Sequence, residues 1–238
     1  MRQNYDPKSQ KSYPLSRTRV ENFLKCPRCF YLQEKFGITM PSIPAFTLNA
    51  AVDELLKKEF DIHRVRGRAH PLMEKYGIEA VPVDHQDLPL WRNNFAGIRI
   101  LHRPTNLELF GAIDDLWQNR KSEFCVVDYK ATSTSQEISL DDEYKKWYKI
   151  QAEFYQWLLR QKGFKVSNTA YFIFCNGLRD KKAFDAKLEF DLSIIQYSGD
   201  DSWVEPTILK IKKTLDSDQV PQASPECELC NYVEKAQK

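Results

Sequence analysis

Asp128 and Lys130 stand two residues apart in the apolar run EFCVVDYKA, residues 123–131. In an extended chain, residues two apart share a face. Both polar groups therefore project from the side that carries Phe124 and Val126, while Cys125, Val127 and Tyr129 point the other way. Charged groups are rarely buried unpaired, so their place on an apolar strand is informative. The preceding extended stretch, LELFGAIDDLW, puts Asp114 on a face with Phe110 and Ala112. A turn centred on Lys121 makes the two stretches a hairpin and sets Asp114 opposite Asp128. Two carboxylates side by side repel. A divalent cation between them removes the conflict, and hard oxygen ligands with room for water suit Mg²⁺ or Mn²⁺. Such an ion polarises a phosphoryl oxygen and lowers the pKa of a bound water. Lys130 can orient that water or stabilise the charge that develops on phosphorus-bound oxygens. The competing explanation is a surface hairpin whose Asp–Lys pair carries little energy.

These residues need elements to hold them. A long amphipathic helix is expected over residues 143–162, with Gly163 as its stop. Its apolar stripe runs Tyr144, Trp147, Tyr148, Phe154, Tyr155, Leu158, and Gln151 sits inside it. A glutamine on a core-facing stripe needs a polar partner, and a backbone group would serve. Upstream, Ser16 is placed to cap the helix RTRVENFLK, with Val20, Phe23 and Leu24 at helical spacing. Pro41 and Pro44 break the next stretch, and Thr47 caps a second helix with Leu48, Val52, Leu55, Leu56 and Phe60 along one face. Residues 64–95 read as an irregular connection. TAYFIFC (169–175) and KLEFDL (187–192) are further strands, and Ser202 caps a last helix running to about Leu215. Helices alternating with strands predict an α/β class with a mixed sheet.

Four of the six cysteines form two C-x-x-C pairs, Cys26/Cys29 and Cys227/Cys230, one near each end of the chain. The opening residues MRQNYDPKSQKSYPLSR hold no apolar h-region, so a cytoplasmic chain and metal ligation are expected rather than disulfides. A four-thiolate site joining the two ends fits zinc or an iron–sulfur cluster equally by composition. Cys125 and Cys175 lie in apolar strands and read as core. Hydrophobic residues at 42% and charged residues at 29% exclude a disordered chain. No apolar run reaches membrane-spanning length, so no membrane partner is expected. The net charge of +2 does not announce a nucleic-acid binder, and any basic surface must be local. Arg17, Arg19, Lys25 and Arg28 flank the first cysteine pair, and Lys145, Lys146 and Lys149 precede Gln151 by a turn. Either cluster is a candidate phosphate contact.

Taken in order, G-x-I-D (Gly111 to Asp114), V-D-Y-K (Val127 to Lys130) and Q-x-x-x-Y (Gln151 to Tyr155) resemble the motifs of the PD-(D/E)XK nuclease superfamily. The likeness is strongest to RecB-type exonucleases and CRISPR-adaptation nucleases, and LSRTRVENFLKCPRCFYL (Leu15 to Leu32) is similar to the opening motif of that branch. It spans residues 15–232, with 64–105 unmatched. The resemblance implies a restriction-endonuclease-like mixed β-sheet core flanked by helices. It implies a single nuclease domain over 15–238 after a flexible arm of residues 1–14, with a variable insertion at 64–105 and a cysteine segment at 217–238. Asp114 and Asp128 match the metal-binding acids, the carbonyl of Tyr129 a further ligand, and Lys130 the catalytic lysine. Gln151 and Tyr155 match the helix motif that supports the lysine and contacts DNA. Where many members place a metal-binding histidine on an upstream helix, LNAAVDELLKKEF offers Asp53. The resembled branch often holds a [4Fe–4S] cluster on one N-terminal and three C-terminal cysteines. Here the division is two and two, and Ala236 stands where a third C-terminal cysteine is expected. Iron–sulfur is the favoured cofactor and zinc the alternative.

The expected activity is a Mg²⁺- or Mn²⁺-dependent deoxyribonuclease, in exonuclease form, with DNA as partner. The alternative is a catalytically inactive nucleic-acid-binding module that keeps the fold and a structural Cys₄ metal site. No G-x-x-x-x-G-K-[ST] is present, so a helicase or a repair and recombination complex would be a separate partner.

Overall fold

Apolar alternation and helical spacing resolve, in the computed structural model, into eight strands and eight α-helices among the described residues, 3–39, 41 and 46–237. In chain order they are β1 (Tyr13–Ser16), α1 (Arg17–Lys25), α2 (Pro27–Phe36), α3 (Thr47–Val65), α4 (Pro71–Lys75), β2 (Ala80–Pro82), α5 (Leu88–Trp91), β3 (Ile98–His102), β4 (Leu107–Gly111), β5 (Asp115–Asn119), β6 (Phe124–Thr132), α6 (Lys146–Gln161), β7 (Thr169–Gly177), β8 (Phe190–Ser198), α7 (Val204–Asp216) and α8 (Glu228–Ala236). Met1, Arg2, Pro44 and Lys238, on which sequence expectations also fall, lie outside the described residues. No helix among the described residues is long and apolar enough to cross a membrane.

The chain divides into two compact units. One comprises Met1–Pro44, Arg99–Gly111 and Ser202–Lys238; the other comprises Ala45–Ile98 and Ala112–Asp201. The second is built on a five-stranded sheet of order β2-β5-β6-β7-β8. β5 and β6 are antiparallel, β6 and β7 parallel, and β7 and β8 antiparallel. A parallel pair cannot be joined by a tight turn, and α6 makes the crossover. Central strands covered on both faces read as continuous apolar runs. Residues Phe124 to Tyr129 are all buried accordingly, Asp128 included. Parity sorts them. Cys125, Val127 and Tyr129 join Trp117, Tyr171 and Ile173 in a core closed by Leu56 and Phe60 of α3 and Met73 of α4. The other face of β6 is covered by α6.

In the first unit β1 lies parallel to β4, which also neighbours β3. Helices α1, α2 and α7 pack together, with Val20, Phe30, Ile208 and Ile211 buried.

Several expectations are corrected. The arm at 1–14 is tied down from Tyr5 onward: the Tyr5 N–H donates to the Glu34 carbonyl (2.7 Å), its hydroxyl to Asp216 (2.6 Å), and its ring packs edge-on to Tyr13. Two large aromatic rings supply enough apolar area to order that segment. The stretch LELFGAIDDLW is not one strand. It breaks over residues 112–114, so β4 and β5 belong to different sheets. Residues 64–95 carry α4, β2 and α5. The strand expected at 187–192 is shifted to β8, and the C-terminal segment adds α8. On α3 the buried side is Leu56, Phe60 and Arg64 at strict i, i+4 spacing, while Leu48 and Leu55 are exposed. Tyr144, placed on the α6 stripe, is exposed as well.

Phe60 is fully buried and stacks on Trp117 (5.6 Å between centroids) and His70 (4.5 Å). Phe60→Ala is expected to destabilise the protein by about 3–5 kcal/mol through lost transfer energy and a residual cavity. The shift of the urea unfolding midpoint measures it.

Candidate active site

The β5–β6 pairing sets Asp115 opposite Val127 and Leu116 opposite Val126. Continued by one residue, that register brings Asp114 beside Asp128, as the hairpin geometry predicts. Asp128 is 1% exposed. Its Oδ1 accepts a hydrogen bond from Gln151 Nε2 (2.8 Å), and its Oδ2 is ion-paired with Lys130 but has no well-aligned donor. Lys130 Nζ also reaches Gln151 Oε1 (3.3 Å) and lies 4.5 Å from the centre of the Tyr148 ring. Gln151 thus finds the polar partner that its place on α6 demands. It sits 3.4 Å from the hydroxyl of buried Tyr155.

Burial pushes the Asp128 carboxyl pKa up; the Lys130 ammonium opposes this shift and the Asp114 charge adds to it. Lys130 is shifted upward because Asp128 and Asp114 outweigh the effect of its own burial.

Asp114 accepts the Tyr129 N–H at Oδ2 (2.9 Å), and its Oδ1 lies 3.5 Å from Lys57. Lys57 also binds Asp53 Oδ2 (2.6 Å), one turn back on α3. Burial, and then the charge of Asp114, raises the Asp53 pKa. Helix α3, the residue before β5 and strand β6 thereby bring three carboxylates and two ammonium groups together beside one cleft, which Asp53 and Lys130 line with Asn49, Val52, Tyr129 and Tyr148. Among the described residues, the four cysteine thiols are the one group of three or more such ligands gathered within 4.8 Å of one another. The donor set fits a hard divalent ion. All three acids offer oxygens, and among the described groups the buried Asp128 Oδ2 meets only the Lys130 ammonium, with no well-aligned hydrogen bond.

The residues that support the cleft are ones that sequence reasoning missed. Asp115 is fully buried beneath it. Its Oδ1 meets Arg64, Arg92 Nη2 (2.9 Å) and the Leu116 N–H (2.7 Å), and its Oδ2 accepts the Tyr129 hydroxyl (2.7 Å). Asp61 holds both arginines from the other side: Arg92 Nη1 lies 2.9 Å from each of its oxygens, and Arg64 Nε 2.8 Å from Oδ1. Burial raises the Asp61 pKa, but the two guanidinium groups overcome it and bring it down. Arg92 Nε also donates to the Asp114 carbonyl (2.9 Å). One signal was available. Asp115 follows Asp114 directly, so strand parity had to send it to the opposite face, where a charge requires a partner.

The expected DNA contacts are mostly engaged with acids. Arg17 pairs with Glu21, and Arg19 lies 2.5 Å from fully buried Glu34. Lys145 pairs with Asp142 (2.6 Å), Lys146 with Glu143 (3.6 Å) and Lys149 with Asp141 (4.0 Å). Arg28 is exposed. Arg19 and buried Lys145, which also donates to the Ser139 carbonyl (2.7 Å), are held as structural pairs, whereas the Lys146 and Lys149 pairs are weak and open to exchange.

The four paired cysteines come together in the first unit. Cys26 Sγ lies 3.9 Å from Cys230 Sγ, and Cys29 Sγ lies 3.6 Å from Cys227 Sγ and 3.4 Å from Cys230 Sγ. All four sulfurs fall within 4.8 Å of one another, a group that could hold a metal ion. Cys125 and Cys175 are buried in the sheet, as expected of core residues.

The mixed sheet with its crossover helix, and the acids and lysine at its centre, define a nuclease-type protein. Residues 44–234 match the family model of the PD-(D/E)XK nuclease superfamily, and the chain belongs to that superfamily. The match includes the second cysteine pair and lies beyond the first. No curated protein gives a significant match.

Asp115→Ala removes the buried one of the two carboxylates that Arg64 and Arg92 share, leaving only Asp61 between them. The expected loss of stability is about 3–5 kcal/mol, read from denaturant unfolding, and Asp115→Asn is expected to lose less because it keeps an acceptor oxygen.

Proposed function

We propose that the protein is a Mg²⁺- or Mn²⁺-dependent deoxyribonuclease that hydrolyses phosphodiester bonds from DNA ends. The observation that carries this reading is the meeting of Asp114, Asp128, Lys130 and Gln151 at one cleft of a superfamily member. A divalent ion held by Asp114, Asp128 and the Tyr129 carbonyl, with Asp53 as a further ligand, would polarise the scissile phosphate and acidify a bound water. The protein's own groups do the rest. Gln151 fixes the Asp128 carboxylate through Oδ1 and orients Lys130 through its own Oε1. Lys130, charged because two acids face it, places its ammonium where negative charge develops on the phosphate. Tyr148 closes over the Lys130 ammonium and presents its ring to the cleft, where an unpaired base can stack.

Lys130→Ala is expected to lower kcat on the order of 10²-fold or more, and Asp128→Ala to abolish cleavage. Chelation should stop the reaction, and Mg²⁺ or Mn²⁺ should restore it. End-labelled linear DNA should be degraded while covalently closed circles persist. Wild-type rates in either variant would overturn the assignment, and cut circles would overturn the requirement for an end.

A second reading, a non-catalytic nucleic-acid-binding module, is favoured by one observation. The Lys57 ammonium already neutralises Asp53 and Asp114. That reading predicts DNA bound and left uncut with either metal.

A further inference from the structure

The cysteine cluster has a metric that separates its two candidate occupants. A [4Fe–4S] cubane gives each thiolate its own iron, so neighbouring sulfurs are held apart by two metal–sulfur bonds and an iron–iron edge, roughly 6 Å. A single tetrahedral ion with metal–sulfur bonds of about 2.3 Å sets its sulfurs about 3.8 Å apart. Three of the six separations, 3.4, 3.6 and 3.9 Å, bracket the second value, and no pair exceeds 4.8 Å. They are also far too long for disulfides, whose sulfurs lie about 2.05 Å apart. The thiolates therefore do not fit the iron–sulfur cluster that the family resemblance implies.

Local structure supports a small, symmetric ligand set. Cys26 is the N-cap of α2 and Cys29 the third residue inside it. Cys227 is the N-cap of α8 and Cys230 again the third residue inside. The same knuckle occurs twice, each presenting two sulfurs at a helix start. Four cysteines on two C-x-x-C knuckles leave no open coordination position, which is the pattern of a structural site.

We propose that Cys26, Cys29, Cys227 and Cys230 bind one zinc ion as a closed tetrahedral site, and that this protein carries no [4Fe–4S] cluster. The inference is independent of the nuclease reading, because it concerns a site with no part in the proposed chemistry.

The test is elemental analysis of the full chain, purified without oxygen from cells supplied with both iron and zinc. The expected result is a colourless protein with about one zinc per chain, and X-ray absorption showing about four sulfur neighbours near 2.3 Å and no metal–metal scattering. Stoichiometric iron in any form overturns the proposal, as does a brown protein absorbing near about 400 nm or a protein isolated without metal. Cobalt-exchanged protein gives a second readout: tetrahedral thiolate bands support the site, and their absence counts against it. Neither measurement requires nuclease activity.

Discussion

Asp128 lies almost wholly out of water in the middle of a sheet, next to a second acid. In such a place an unpaired carboxylate costs several kcal/mol, and the surroundings of the cleft answer that cost. Lys130 faces one oxygen and Gln151 donates to the other, while Lys57 sits between Asp114 and Asp53. Beneath them the same constraint is met a second time. Arg64 and Arg92 are balanced by Asp61 and Asp115, two positive charges against two negative. Tyr129 joins the layers, its N–H on Asp114 and its hydroxyl on Asp115. Arg92 does so too, through the Asp114 carbonyl and the Asp115 carboxylate. The candidate ligand at 114 is therefore held by backbone and side chain together.

This arrangement explains why two adjacent aspartates have different roles. Strand parity turns Asp114 toward the cleft and Asp115 into the arginine layer. The first keeps hydrogen-bonding capacity for a ligand. The second, with four partners, has little left. A polar network that is fully satisfied is rigid, and rigidity at 115 transmits to the neighbouring residue through a single peptide.

The cysteine site solves a different problem. Unit one draws its residues from both termini and from a short central segment, so helices that are distant in sequence must be held together. A metal ion on the four sulfurs at two helix starts would supply a strong, local link between α2 and α8. Helix α8 has no buried residues of its own, so such a link, rather than a hydrophobic face, would fix its place.

Much of this was legible in the residues. The alternation in EFCVVDYKA determined which side of β6 carries Asp128 and Lys130, because side-chain direction in a strand follows from covalent geometry alone. Gln151 in an apolar stripe announced a polar partner for the same reason. Two C-x-x-C pairs announced a shared site. What the chain order could not express is who lies opposite whom when the partners come from distant segments. Arg64 and Arg92 sit in a stretch without clear periodicity, and only the packing of α3 and α5 beside β5 makes them neighbours of Asp115. The break between β4 and β5 was hidden, since a continuous apolar alternation does not record that its halves pair with different sheets. The sulfur separations, and with them the size of metal the site can hold, are likewise a property of assembled helices: spacing along the chain names the ligands, but only tertiary structure sets the distance between them.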